Sequence, residues 1–502
     1  MIKNLVANYV GRIWTNLLGF ILIPFYVSKL GVDGYGLIGF FLSLTAILSI
    51  LDLGIGSAIN RELAKLSLLP NSNYTQRQLV KTLEYIYLLL SILIAIIVLA
   101  SSQLIVKYWI HIDSNVAPNP IRVVQLMGIA ATLQFPTSFY QGGLMGVQKQ
   151  ITVNKILIIN GTIKGIGSII VLQLLSPNVE TYFIWQIFSS LLGTIIFRYN
   201  LVKYLPGVNT SVKFNIRCLN EIWKFAATMS LNSIISLVMT QLDKIILINV
   251  LSLKAFGYYS IATTASSAIW LIIMPFNNTI YPKLVQLFEK KNLENLKYTF
   301  HLYTKVLSIL LIPVCAIMIF FSKSVIFLWL NNIEIAENTS VILSLLTFGT
   351  MLNGVQTVPC CSSISFGSPM LLTRINLIQS VLIIPLILLL VKYWGAEGAA
   401  ISWIFMNLTY IIFLVPSFFS KYFKSEQTKW FINETLYPIV ISFLLCFIAS
   451  YLKLGYNKQF IIILMLITWM INTLTLAVYH FGLDFIKTQT LNTFKFIFNS
   501  KK

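Results

Sequence analysis

The sequence predicts an all-α polytopic membrane protein, on three observations. Of its 502 residues, 57% are hydrophobic and only 10% are charged, where a soluble chain carries about 25% charged residues. The mean hydropathy is +0.81. The apolar residues also come in long runs rather than as stripes on polar helices. Such runs suit hydrocarbon, where about 20 helical residues cross the apolar layer and pair every backbone N–H within the segment.

Fourteen runs of spanning length are read, at about 8–30, 36–59, 82–105, 120–142, 153–175, 181–202, 224–250, 256–281, 300–322, 339–362, 370–392, 397–419, 432–452 and 459–480. The first follows the basic start MIKNL, but no small-residue cleavage pattern comes after it. It therefore reads as an uncleaved helix. With the N-terminus placed inside, 26 of the 36 Lys and Arg fall in inner segments and eight in outer ones. Lys164 and Lys244 remain within spans. This asymmetry over short loops predicts that both termini are cytoplasmic. It also accounts for the net charge of +20 without invoking nucleic acid.

Other chemistries find little support. Cys218, Cys315, Cys360, Cys361 and Cys446 make no C-x-x-C pair, and the three histidines, His111, His301 and His480, are scattered. Neither a disulfide framework nor a metal site is expected. No phosphate-binding loop, catalytic triad or paired-carboxylate site is found, so no catalytic residues and no cofactor are predicted. The inner loops reach only about twenty residues. The absence of an inserted soluble domain argues against an enzyme.

The chain repeats itself at a shift of 221 residues. SKLGVDGYGLIGF (28–40) then lies over NVLSLKAFGYYSI (249–261), matching Leu30 with Leu251, Tyr35 with Phe256 and Gly36 with Gly257. AINRELAKL (58–66) lies over TIYPKLVQL (279–287), and Gly146 over Gly367. The shift equals six spans, so the repeat is parallel. The predicted organisation is a six-helix lobe over 1–205, a second over 206–425, and a terminal helix pair with its tail over 426–502.

Polar residues at membrane depth are the candidate functional groups, because each is costly there. In the first span Asn8, Arg12, Asn16 and Gly19 form one stripe, read either as a cavity face or as a flank with Arg12 reaching the interface. LDLGIGSAINRELAK (51–65) ends the second span. Asp52, Gly56 and Asn60 share a face there, and Gly54, Gly56 and Ala58 offer small residues for close helix packing. Asp52 reads as a buried ion-pair partner, a helix cap or a substrate contact. Arg61, Glu62 and Lys65 mark the inner mouth. Lys164 stands mid-span with Gly161, Gly165 and Ser168 on its face, and should meet protein or water. Asn232, Ser236, Thr240 and Asp243 form a stripe in the seventh span, followed by Lys244. Asp243 reads as an ion-pair partner or a cation-coupling site, and Glu84 as an interfacial or ion-pairing group.

These residues resemble a known family. LDLGIGSAINRELAK, SLVMTQLDKIILINVLSLKAFGYYSIA, GVQKQITVN and GSPMLLTRINL, in this order and spacing, are similar to the polysaccharide transporter family, the Wzx-type lipid-linked oligosaccharide flippases of the MATE/MOP superfamily. The resemblance implies two six-helix bundles around a cavity open alternately to either side. It implies an undecaprenyl-diphosphate-linked oligosaccharide as cargo, for O-antigen or a related surface polysaccharide. Arg12, Lys164, Arg61 and Asn16 would then face the diphosphate, and Asp52, Asp243, Lys244 and Glu84 would serve ion pairing or cation coupling. The implied location is the bacterial inner membrane, with membrane lipids, a polysaccharide polymerase and a chain-length regulator as partners. The alternative is a cation-coupled MATE-like antiporter. Against it, the first span lacks the membrane-depth Asp expected of that group. A membrane-embedded polymerase or ligase is a more distant reading.

Overall fold

The computed structural model describes residues 2–482 apart from 53, 71, 114, 208–213, 216 and 453–456, with backbone only at 2–10, 12, 13, 217–233 and 369. The described residues are helical and contain no strand. Contacts divide the chain into two compact units, 1–260 and 261–502.

The first unit contains α1 (Ile2–Leu48), α2 (Ile55–Leu66), α3 (Asn73–Tyr108), α4 (Pro120–Gln134), α5 (Thr137–Gly146), α6 (Gln150–Leu174), α7 (Val179–Tyr204), α8 (Arg217–Val250) and the start of α9 (Leu253–Ser267). The second contains the rest of α9, then α10 (Trp270–Glu289), α11 (Leu293–Phe320), α12 (Ser322–Leu330), α13 (Ile333–Val355), α14 (Thr357–Ser365), α15 (Pro369–Thr409), α16 (Val415–Tyr422), α17 (Tyr437–Ser450) and α18 (Lys458–Phe481). Two π-helical stretches, Tyr410–Leu414 and Lys429–Leu436, lead into α16 and α17.

Ten described segments are long and apolar enough to cross a membrane. Two of them are double. At about 1.5 Å per residue, the 47 residues of α1 would run more than twice the thickness of the apolar layer. The helix instead turns at Gly31 (φ 74°, ψ 176°). α15 turns likewise at Gly395 (φ 53°, ψ −127°). Counting these as two passes each, and adding the α4–α5 pair and α8, gives the fourteen passes expected.

Several expected spans are broken. The second does not run on to residue 59. Its helix ends at Leu48, tightens into a 3₁₀ turn over Ser49–Asp52, and restarts at α2 from Gly54 in the left-handed region. Gly54 therefore serves the turn, not the packing face assigned to it. Gly56 does pack: a Cβ on Gly142 of α5 would strike its carbonyl, and one on Gly146 would lie 2.7 Å from Asn60 O. The fourth span breaks at Phe135–Pro136 and the tenth at Gln356.

These breaks expose the repeat. Phe135 and Gln356 are 221 residues apart. So are Gly31 and Ser252, which lies between α8 and α9. Local packing shows the same relation. A Cβ on Gly36 would lie 2.7 Å from Leu253 O, and one on Gly257 would strike Val32 O. Gly36 and Gly257 are equivalent under the shift, and so are Val32 and Leu253. Each glycine thus meets the partner of the other's neighbour, the self-complementary pattern of a two-fold contact.

In the second unit, α17 and α18 pack on α11. Ala316 and Cys446 are fully buried, and Phe320 packs edge-on against Phe443. Asn472 is fully buried and accepts from Ser442 Oγ at 2.8 Å. A polar cluster extends this junction. His301 Nδ1 lies 2.8 Å from the buried Glu434, and His301 Nε2 lies 3.3 Å from Glu426 Oε2. Lys297 and Lys429 flank Glu426 at 3.4 and 3.6 Å. Glu426 sits in the loop between spans. Burial raises its carboxyl, but Lys429, His301 and Lys297 outweigh that and hold it below the usual carboxylate range.

Two outcomes follow. Gly36→Ala places a methyl against backbone that cannot yield, at a cost of about 1–3 kcal/mol. The melting temperature of the purified protein should fall, while Gly19→Ala, whose added methyl meets nothing within 4 Å, should not lower it. An unchanged midpoint for Gly36→Ala refutes the close contact. For Glu426, a depressed folded pKa gives stability that is present above the unfolded value and lost as pH falls through the folded one. The melting temperature should therefore drop below about pH 4.3, and less steeply in Glu426→Gln. Parallel curves for the two proteins would contradict this.

Candidate functional site

The first unit encloses a cavity of about 330 Å³. Thr15, Gln134, Ser138, Gln141, Asn160 and Lys164 supply much of its polar lining. The break between α4 and α5 makes room for it. Pro136 has no N–H to continue the helix. Of the carbonyls around the break, Leu133 O accepts from Thr194 Oγ1 at 2.6 Å, and Thr137 pairs with Thr194 at 3.0 Å.

Lys164 reaches the cavity from the middle of α6. Its helix lies tightly on α1 through the small residues on that face. Gly161 lies against Thr15, Gly165 against Leu22, and Ser168 Oγ lies 2.7 Å from Tyr26 Oη. Trp14 Nε1 also donates to Thr162 at 2.9 Å. Lys164 Nζ donates to Gln134 Oε1 at 2.7 Å and lies 5.7 Å from the Phe41 ring centre. Among the described residues no carboxylate stands within salt-bridge distance of it. Nearby, Asn160 Oδ1 and Ser190 Oγ are buried without a hydrogen-bond partner. The cavity thus offers a cation with spare N–H donors, ringed by neutral amides and hydroxyls.

The other predicted residues are dispersed. Arg12 lies on α1 and Asn8 and Asn232 on α1 and α8, but their side chains fall outside the described residues. Asn16 is exposed and does not line the cavity. Arg61 is exposed on α2, 3.9 Å from Glu62. Asp52 borders the cavity, because Ser138, which lines it, donates to Asp52 Oδ1 at 3.2 Å. Asp52 also accepts the Gly56 N–H at the start of α2. It behaves as a helix cap, with no cation in range among the described side chains. Asp243 accepts from Tyr259 Oη, and Lys244 Nζ donates to Gln241 at 3.2 Å. Glu84 is paired across three helices: Arg198 Nε donates at 2.6 Å and Tyr140 Oη at 2.8 Å.

The second unit has its own cavity, of about 630 Å³. Asn277, Asn353, Gln356 and Asn376 line it together with Trp270 and Tyr281, and no lining residue is charged. The sequence reading missed all of these, and Gln134, Asn160 and Arg198 in the first unit. The amides are polar groups inside apolar runs but carry no charge to mark them, Trp270 and Tyr281 look like ordinary apolar-run aromatics, and Arg198 stands near a span end where a cation is common.

Comparison with known proteins places this geometry. The sequence model of the polysaccharide biosynthesis protein family matches residues 1–288, and that of the MatE family matches 229–389. A Shigella flexneri protein named "Putative O-antigen transporter" is 24% identical over 417 residues, 80% of this chain and 94% of that one. The lipid II flippase MurJ in an inward closed conformation superposes with a TM-score of 0.72 at 15% identity, over 95% of this chain and 98% of its own. An inward-facing multidrug MATE transporter of the MOP superfamily gives 0.66 at 14% identity, over 82% and 96%. These likenesses establish a MurJ- and MATE-like fold for a multi-pass membrane protein. With more than half of its length matched, the chain belongs to the polysaccharide biosynthesis protein family.

Proposed function

We propose that this protein is a flippase that carries undecaprenyl-diphosphate-linked oligosaccharide units across the bacterial inner membrane by alternating access, for O-antigen or a related surface polysaccharide. The observation that carries the reading is Lys164. A cation at membrane depth costs about 2.5–3.5 kcal/mol on insertion scales, yet its one described hydrogen-bond partner is the neutral Gln134. An amine there, with donors to spare, suits an anionic cargo. Family membership, the relative's name and the MurJ-like fold support the same reading.

In this mechanism the diphosphate enters from the cytoplasmic side and meets Lys164, while Gln134, the amide that holds the amine in the free protein, gives way to phosphate oxygens. Asn160 and Ser190 offer further polar contacts. Arg12, Asn16 and Arg61 act at the approach to the cavity. The lipid tail stays in the bilayer, and the proposed organisation is a lobe over 1–205, a second over 206–425 and a terminal pair over 426–502. Both termini are cytoplasmic in this reading, which the excess of Lys and Arg in the inner segments supports. Transport, not catalysis, is the activity. A polymerase and a chain-length regulator would take the delivered unit.

A second reading, a cation-coupled antiporter, is favoured by the MatE match and by the placement of Asp52 beside the cavity. Asp52 or Asp243 would then carry the coupling cation, and the same residues would serve a gradient-driven flippase.

Lys164→Ala should reduce export about 10- to 100-fold, the equivalent of one charge-assisted hydrogen bond, with membrane abundance unchanged. Lys164→Arg should recover a substantial part. Surface polysaccharide and inner-leaflet lipid-linked intermediates report the effect. Unaltered export in Lys164→Ala removes the residue from the mechanism.

A further inference from the structure

The cavity of the second unit carries chemistry that the headgroup reading leaves unused. Its polar lining is built of carboxamides, with Trp270 and Tyr281 beside them and no charge among the lining residues. One group in it is unsatisfied. Gln356 is 2% exposed, and its Oε1 is buried with no hydrogen-bond partner.

The neighbouring bonds fix which Gln356 atom is the oxygen. Asn407 Nδ2 donates to Trp403 O at 2.8 Å, which orients the Asn407 amide. Asn407 Oδ1 then receives Asn353 Nδ2 at 2.7 Å and Gln356 Nε2 at 3.3 Å. A flipped Gln356 would set oxygen against oxygen. The free acceptor is therefore a consequence of the network. Asn376 is held in turn, by a hydrogen bond from Tyr410 Oη to its Oδ1, which leaves its N–H donors for another partner. A buried acceptor without a partner is costly and points to a group that the protein alone does not supply.

The class of that group follows from the lining. A diphosphate would need cations, and a cationic drug would need a carboxylate. A neutral saccharide presents hydroxyls that both donate and accept, matched by carboxamides, and C–H faces that lie on aromatic rings. The volume lies within the range of small-ligand sites, about 300–1,000 Å³.

We infer that the cavity lined by Gln356, Asn353, Asn376, Asn277, Trp270 and Tyr281 is a subsite for an uncharged sugar residue of the cargo. This rests on the reading of the cargo as a lipid-linked saccharide. Gln356 Oε1 accepts a sugar hydroxyl, the Asn376 amide donates to one, and Trp270 covers a C–H face.

The test measures binding of two lipids to the purified full-length protein by native mass spectrometry. One is undecaprenyl diphosphate. The other is the same lipid carrying glucose, galactose or N-acetylglucosamine. At least one sugar-bearing lipid should bind about fivefold to tenfold tighter than the bare lipid, the yield of one or two hydrogen bonds. Gln356→Met, or Asn277→Ala should that variant fold poorly, should bring the ratio to near one and leave affinity for the bare lipid unchanged. Lys164→Ala should weaken both lipids alike and preserve the ratio. A wild-type ratio of one for all three sugars overturns the subsite and leaves the headgroup reading intact, as does a ratio that survives both variants. A sugar-dependent ratio with no effect of Lys164→Ala overturns the headgroup reading and leaves the subsite. Binding of none of the lipids overturns both.

Discussion

Hydrocarbon cannot hydrate a charge, and the arrangement of the first unit follows from how Lys164 lives with that constraint. Some charged groups in the described structure are paired, while the described hydrogen-bond partners of Asp52, Asp243 and Lys244 are neutral. Glu84 faces Arg198, and Glu426 sits among His301, Lys297 and Lys429. Lys164 instead meets a neutral amide, a ring face and a cavity. To place it there, α6 must lie close on α1 through Gly161, Gly165 and Ser168, and the fourth pass must break at Phe135–Pro136 so that Gln134 can turn toward the amine. A structural pair would have supplied a carboxylate. A binding site for an anion leaves that place to the cargo.

The repeat gives one backbone plan two chemistries. Breaks recur 221 residues apart, at Phe135 and Gln356 and at Gly31 and Ser252. The side chains at these places have diverged. The 221-residue shift puts Pro385 where the first repeat has Lys164. The first cavity is cationic and small; the second is uncharged, larger and rich in amides. A lipid-linked saccharide carries both a charged linkage and neutral rings, so a divided chemistry suits such a cargo better than a uniform one.

Much of this was legible in the sequence for physical reasons. Apolar runs must be helices in a bilayer, so the class and the fourteen passes could be read. Lys164 stood out because charge at mid-span is rare, and Gly161, Gly165 and Ser168 advertised close packing beside it. The breaks were less visible. Gly54 looked like a packing glycine because its left-handed turn depends on φ, which a small-residue pattern does not reveal. Asp52 could be read as an ion-pair partner, a helix cap or a substrate contact, and it accepts the Gly56 N–H and the Ser138 hydroxyl. Asn16 and Arg61 shared the polarity of cavity residues, but their helix positions leave them exposed. Amides such as Gln134 and Gln356 carry no charge to mark them. Their importance comes from neighbours far away in the chain, which only the fold brings together.

In the proposed mechanism the half-buried amine of Lys164 selects cargo by the charge of its headgroup. The most direct measurement is the initial rate of translocation, across vesicles containing the purified protein, of one saccharide linked to undecaprenol through a diphosphate or through a monophosphate. The account predicts faster movement of the diphosphate form. Equal rates for the two linkages would contradict it.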